Sequence, residues 1–294
     1  MSRLRPVDIV AIYGHTHQEM HLAQISRLLD TLRDHGISLA VEAGFADYLV
    51  ANGLHLRPGE RTAYCPPEAG AAISIGGDGT FLRTARWTGR LQTPVLGINT
   101  GHLGFLAAYT PTEAESLVSM LRRGEAEVEE RIALKVDVGG ACRAPSLPYA
   151  LNEVAILKEE TASMINVRVD LSGHYLADYL ADGLLISTPT GSTGYALSVG
   201  GPVIFPTLDV VCIAPIAPHT LTARPVVAAA DSVITACTTT RSGRYRVSLD
   251  GVSFLMPAGS TLTVTRADFR PKVIRRPGDS FAATLRQKLL WGVR

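Results

Sequence analysis

A dominant charge sign is what this 294-residue sequence most plainly lacks: 28 Lys and Arg oppose 27 Asp and Glu, for a formal net charge of +1. With no global field to draw in nucleic acid or an anionic membrane, neither is expected as a partner, and any phosphate chemistry must rest on local geometry. Long apolar runs are also missing. None approaches the roughly 20 residues of a spanning helix. The first run, Val7 to Tyr13, contains Asp8 and is too short for the apolar core of a signal peptide. The four cysteines, Cys65, Cys142, Cys212 and Cys237, form neither a CxxC pair nor a zinc-type cluster. These absences predict a reduced, unexported, cytoplasmic protein. No internal repeat or low-complexity stretch is present.

The chain does have enough apolar residues, 46% of the total, to bury a full core, and a length at which one core usually splits in two. Up to about Gly124, short β-branched runs alternate with helical periodicity, as in a parallel sheet covered by helices. Val7 to Tyr13, Ile37 to Val41, Ala71 to Ile75 and Pro94 to Ile98 read as strands. Gln18 to Arg33, Thr80 to Trp87 and Thr112 to Arg122 read as helices. From about Glu127 to Val273 the texture becomes short apolar alternations broken by Gly, Pro and Ser, the pattern of an antiparallel β domain. Ser280 to Trp291 then puts Phe281, Leu285 and Leu289 on one helical face, with Asp279 as its expected cap. The expected domains are 1–125 with 275–294, and 126–274.

Two of the early strands end in glycine-bearing loops, Gly76-Gly-Asp-Gly-Thr80 and Asn99-Thr-Gly-His102, which places a ligand crevice at the carboxyl edge of the sheet. In the first loop, glycines at 76, 77 and 79 allow a sharp turn and close backbone approach, and amides at a helix start favour phosphate. Asp78 is out of place beside an anion unless it has a chemical task, and a general base for a sugar hydroxyl is such a task. The plainer alternative is a tight turn capped by Asp78. The loop is neither a Walker A sequence, since no Lys follows its last glycine, nor a GxGxxG fingerprint.

Asp182 to Pro202 (DGLLISTPTGSTGYALSVGGP) is a short apolar strand running into hydroxyls and glycines. Thr193 and Ser198 can address heteroatoms and Tyr195 can stack, a density that suits a nucleoside. By composition alone this would be a surface loop. Asn152 and Glu153 start another strand; an amide can read an adenine edge and a carboxylate can accept from ribose hydroxyls.

Gly-Gly-Asp-Gly-Thr resembles the signature shared by NAD kinases, diacylglycerol and sphingosine kinases and, with Ser for Thr, phosphofructokinases. The order of Asp182 to Pro202 resembles the second signature of the NAD kinase family, which the lipid kinases and phosphofructokinases lack. Gly194 stands where Ala is common there, and Val199 replaces another small residue. Leu151-Asn-Glu-Val154, Asn99-Thr-Gly-His-Leu-Gly-Phe-Leu106 and Pro218-His-Thr-Leu-Thr-Ala-Arg-Pro225 are similar to further family elements. Asp250-Gly-Val252 sits where many relatives read Asp-Gly-Gln.

The resemblance implies an α/β N-terminal domain, a sandwich-like all-β C-terminal domain, and a final helix packed back on the first domain. It further implies transfer of the terminal phosphate of ATP, carried with Mg²⁺, to the 2′-hydroxyl of NAD's adenosine ribose, with Asp78 as base. NAD would bind between the domains through Asp78, Gly79, Arg83, Phe105, Asn152, Glu153, Asp182, Thr193, Gly194, Tyr195 and Ser198, with adenine near Asn152 and Thr193 and the nicotinamide half near Asp182. Gly76, Gly77, Gly79 and Thr80 would form the phosphate loop. Arg83 would reach phosphate or serve as a surface helix arginine, and His219 would face phosphate or hold its own loop. Homodimers or homotetramers are the family's habit. A lipid kinase and a catalytically silent dinucleotide sensor remain as alternatives. His15, His17 and His21 read as solvated helix-start residues, with no Cys or paired carboxylate to complete a metal site.

Overall fold

The computed structural model describes residues 2–101, 104–139, 145–159 and 163–291; Cys142, His102 and Leu103 lie outside the described residues. The chain divides into two compact units, Met1–Glu130 with Pro271–Arg294, and Arg131–Arg270.

The first unit is built on an eight-stranded sheet. From one edge its strands are Arg61–Thr62, Ser38–Glu42, Ile9–Gly14, Ala71–Ile75, Val95–Ile98, Lys272–Arg275, Glu127–Glu130 and Ser2–Arg3. The first six run parallel. Glu127–Glu130 is antiparallel to both its neighbours, so the sheet is mixed, not purely parallel. Glu127–Glu130 and Lys272–Arg275 read in the sequence as the ends of the β domain. They pair here because a short alternation fixes strand character but not its partner. For that reason the second unit begins and ends a few residues inside 126–274.

Val10, Ile12, Ile73, Ile75, Leu96 and Ile98 are all buried, as expected for strands covered on both faces. Helix Leu22–Asp34 contributes Ile25, Leu28, Leu29 and Leu32 to the same core and stops before Gly36, whose φ of 72° is left-handed. Helix Ala114–Arg123 follows a capping box made by Thr110 and Glu113 and ends at left-handed Gly124. Helix Ala43–Ala51 has no counterpart in the sequence reading. Its apolar residues show little helical periodicity, and it starts where the Glu42 carboxylate accepts the Phe45 amide at 2.9 Å.

The closing helix, Phe281–Leu289, belongs to this unit. Its N-cap is Ser280, not Asp279, and no side chain caps it; the Asp279 amide is turned back to the Arg276 carbonyl at 3.0 Å. Leu285 is buried, while Phe281 and Leu289 are half-buried. Just before it, Arg276 bonds the Glu113 carboxylate and lies 5.0 Å over the Tyr109 ring. Among the described residues no helix is long and apolar enough to cross a membrane.

The second unit is two six-stranded antiparallel sheets. One orders Val226–Ala229, Val210–Ile216, Gly183–Ser187, Glu153–Lys158, Arg244–Leu249 and Val252–Pro257. The other orders His174–Ala181, Ile165–Leu171, Ile234–Thr239, Thr261–Arg266, Leu134–Val138 and Tyr149–Ala150. A single cluster takes Val154, Ile156, Leu184 and Ile186 from the first sheet and Val136, Val167, Val169 and Val264 from the second, which makes a sandwich. Leu185, Cys212 and Ala214 face the other way, against Ile204. The Gly183–Ser187 strand is therefore buried on both faces, which explains its unbroken Leu-Leu-Ile run. Each such side chain contributes roughly 1.5–3 kcal/mol.

Candidate functional site

The parallel strands of the first unit end together, so the segments after Gly14, Glu42, Ile75 and Ile98 share one edge. The His15 amide bonds the Ile75 carbonyl at 3.0 Å, the Gly76 amide bonds that of Ile98 at 2.9 Å, and the Gln18 side chain donates to the His15 and Ile75 carbonyls at 2.7 and 3.0 Å.

On this edge Gly76 adopts φ 144°, and a Cβ there would stand 2.5 Å from the Thr80 hydroxyl. Gly77 caps helix Asp78–Thr88, leaving the Asp78 and Gly79 amides in the first turn, where no intrahelical acceptor exists. Asp78 is thus the first residue of the helix and not its cap. Its carboxylate accepts the Phe105 amide at 2.8 Å on one oxygen, and those of Leu106 and Ala107 at 3.1 and 3.0 Å on the other. Gly104 permits that contact, because a Cβ there would lie 1.8 Å from the same carboxylate. The two glycine-bearing loops are therefore joined through Asp78, with Phe105 half-buried beside it.

Exposed Arg83 reaches the Thr80 hydroxyl at 3.4 Å. Its charge acts against burial and Glu42, which push the Tyr13 phenol up. Lys288, in the closing helix, is lowered by burial, and the Asp78 charge acts in the opposite direction. This lysine was not legible in the sequence, where it is one cation of an amphipathic helix. His15 and His17 lie with rings 5.2 Å apart, His21 pairs with Gln24, and among the described residues no group of three or more His, Cys, Asp or Glu forms a metal cluster.

In the second unit the hydroxyls of 187–198 have different duties: buried Thr190 accepts from the Arg131 guanidinium at 3.1 Å, and Thr193 donates to the Thr190 carbonyl at 3.3 Å. Ser187, Thr188 and Ser192 are fully buried and serve the backbone. Thr188 donates to the Leu151 carbonyl at 2.6 Å and accepts the Gly191 amide at 3.2 Å, and Ser192 bonds both the carbonyl and the amide of Ile204. Thr193 is half-buried, and Tyr195 and Ser198 are exposed. Gly191 packs so close that a Cβ would be 2.2 Å from the Asn152 carbonyl oxygen. A Cβ at Gly194 would meet the Asn152 amide nitrogen at 3.3 Å and a Glu153 carboxylate oxygen at 3.5 Å. Asn152, Glu153, Gly191 and Gly194 therefore converge.

Asn152 Oδ1 and Glu153 Oε2 are buried and, among the described residues, have no hydrogen-bond partner. Such orphaned acceptors are costly unless a ligand or water satisfies them. Burial, and then the nearby Asp250, push the Glu153 carboxyl up to about 7. Asp182 does not join this cluster. It precedes Gly183–Ser187, with that strand between it and the loop, and it pairs with Lys158 at 2.6 Å. Asp250, noted in the sequence only for the residue two places on, accepts the amides of Leu151, Asn152 and Glu153 at 2.6, 2.9 and 3.1 Å.

A glycine loop bound to an anchored carboxylate, on a chain that also carries a buried pair of orphaned acceptors, fits a kinase of the Gly-Gly-Asp-Gly class. Residues 59–126 match the ATP-NAD kinase N-terminal domain and residues 151–276 the ATP-NAD kinase C-terminal domain. The NAD kinase of Bacteroides fragilis is 42% identical over 286 residues, spanning 96% of this chain and 97% of that one. The crystal structure of yeast NADH kinase complexed with NADH shares the fold at TM-score 0.86 and 21% identity, covering 99% of this chain and 89% of that one. An NAD kinase from Archaeoglobus fulgidus in complex with ATP matches at TM-score 0.74 and 26% identity, covering 96% and 98%. The chain belongs to the NAD kinase family. The lipid-kinase and silent-sensor alternatives find no support in these relatives.

Proposed function

We propose that this chain transfers the terminal phosphate of ATP to the 2′-hydroxyl of NAD, giving NADP and ADP. The observation that carries the assignment of parts is the Asp78 carboxylate, fixed by three amides at the start of a glycine-rich helix. A carboxylate has about four acceptor positions, so one is left for a substrate hydroxyl. The 2′-oxygen forms a bond to the terminal phosphorus, the bond to ADP's oxygen breaks, and the hydroxyl proton passes to Asp78. Phosphoryl transfer depends chiefly on alignment and charge neutralisation. Gly76, Gly77, Gly79 and Thr80 hold the phosphates, with Arg83 and Lys288 as the neighbouring cations.

NAD is held by Asn152 and Glu153, whose orphaned oxygens meet adenine and ribose donors, with Thr193, Gly194, Tyr195 and Ser198 beside them and Phe105 against the ligand. Asp182 takes the nicotinamide half. Mg²⁺ arrives as the counterion of ATP. The chain works in the cytoplasm, consistent with the free thiols of Cys65, Cys212 and Cys237. It self-associates as a homodimer or homotetramer, and exposed Phe205, Leu208 and Leu221 supply apolar surface for contact. A coupled assay of NADP formation from NAD, ATP and Mg²⁺ tests the reaction, with NADH, other triphosphates and polyphosphate as competing substrates. Absence of NADP under all donors would overturn it. Light scattering reports the oligomer.

A further inference from the structure

The backbone of residues 151–153 is held from two sides. Its carbonyls take the Thr188 hydroxyl at 2.6 Å on Leu151, and the Thr188 amide at 2.9 Å on Asn152. Its three amides all go to the single carboxylate of Asp250. Asp250 reaches them from a two-residue hairpin turn: Leu249 pairs with Val252, and Asp250 and Gly251 have φ of 49° and 86°, both left-handed. The Asp250 amide in turn donates to the Glu153 carbonyl at 3.3 Å. What this leaves uncommitted are the side chains of Asn152 and Glu153, each with a buried oxygen lacking a partner among the described residues.

The geometry points to Asp250 as a positioning residue for the acceptor dinucleotide. It fixes the Asn152–Glu153 backbone so that the two unpartnered oxygens converge on one ligand, an assignment that rests on Asn152 and Glu153 being the NAD-binding pair. Asp250 itself touches no substrate in this scheme. Its second effect is electrostatic, since its negative charge opposes ionisation of the buried Glu153 carboxyl. Both effects belong to the carboxylate and not to the turn. Asn suits a left-handed turn position as well as Asp does, so Asp250→Asn keeps the hairpin and removes the charged acceptor.

The test compares Asp250→Asn with Asn152→Ala and Glu153→Gln in the full-length enzyme, reading KM for NAD, KM for ATP, kcat, and the pH dependence of KM for NAD. Asp250→Asn is expected to raise KM for NAD roughly tenfold or more while KM for ATP stays within about twofold. The pH at which Glu153 titrates in the KM profile should move down, because the opposing charge is gone. A turn-forming role alone would not move that profile. Should Asp250→Asn fold too poorly to assay, Asp250→Glu, which keeps the charge but displaces it, is expected to raise KM for NAD with the profile unmoved. If Asn152→Ala and Glu153→Gln weaken NAD while neither Asp250 variant does, the positioning role is overturned alone. If Asn152→Ala and Glu153→Gln leave KM for NAD unchanged, the NAD-binding reading of the pair falls, and the role of Asp250 with it.

Discussion

Asp78 and Asp250 use the same device, each gathering three backbone amides onto one carboxylate, and the consequences of losing them differ. Asp78→Asn keeps the volume and most of the anchoring but cannot take a proton. We expect kcat to fall by about 10²–10⁴ with NAD binding retained, measured by steady-state kinetics and calorimetry. Near-normal turnover would remove the general-base role and leave the anchoring one. Glu153 makes a prediction about stability. Its carboxyl is raised from the ordinary value of 4.5 to about 7, so between those values the folded chain holds a proton that the unfolded chain has lost. Its contribution is intact below pH 4.5 and is lost as pH rises through 7. Glu153→Gln should therefore gain on the wild type by about 1–3 kcal/mol between pH 4.5 and 8, read from denaturant melts at each pH. An unchanged difference would contradict the burial argument.

At the level of elements, the loop 187–194 shows why glycines in one motif are unequal. A Cβ on Gly191 would meet backbone 2.2 Å away, whereas one on Gly194 meets its neighbours no closer than 3.2 Å. Gly191→Ala should cost more than about 3 kcal/mol or abolish soluble expression, and Gly194→Ala about 1 kcal/mol or less, by thermal denaturation. Equal effects would contradict the packing described. The same loop marks what could be read in advance. Its order pointed to the family, but not to Ser187, Thr188 and Ser192 serving the backbone, since a hydroxyl's partner is decided by the fold. Gly76 to Thr80 was legible as a loop at a strand's carboxyl end, because strand, glycines and helix are contiguous in sequence. The anchoring of Asp78 by residues 105–107 was not, and neither was the action of the Asp78 charge on Lys288, because those interactions join distant segments. Helix Ala43–Ala51 escaped because its apolar residues do not mark one face.

For the whole molecule, the strand order carries the main consequence. Lys272–Arg275 lies between Val95–Ile98 and Glu127–Glu130, so a sheet that begins with the first residues is completed by some of the last. A chain truncated after Arg270 lacks an interior strand along with buried Val273, Ile274 and Leu285. We expect it to be insoluble or to lose cooperative melting of the first unit, as seen by calorimetry. Retention of a native-like first transition would show that this strand is dispensable. During synthesis, residues 131–270 leave the ribosome as one uninterrupted stretch, and that β-sandwich can close on its own schedule. The earlier-made α/β unit must wait with an open seam in its sheet until residues 272–275 have been made. The nascent chain is therefore most exposed to misassembly and chaperone capture at the unit synthesised first, and a slow codon placed before position 271 would prolong that exposure without altering a single residue.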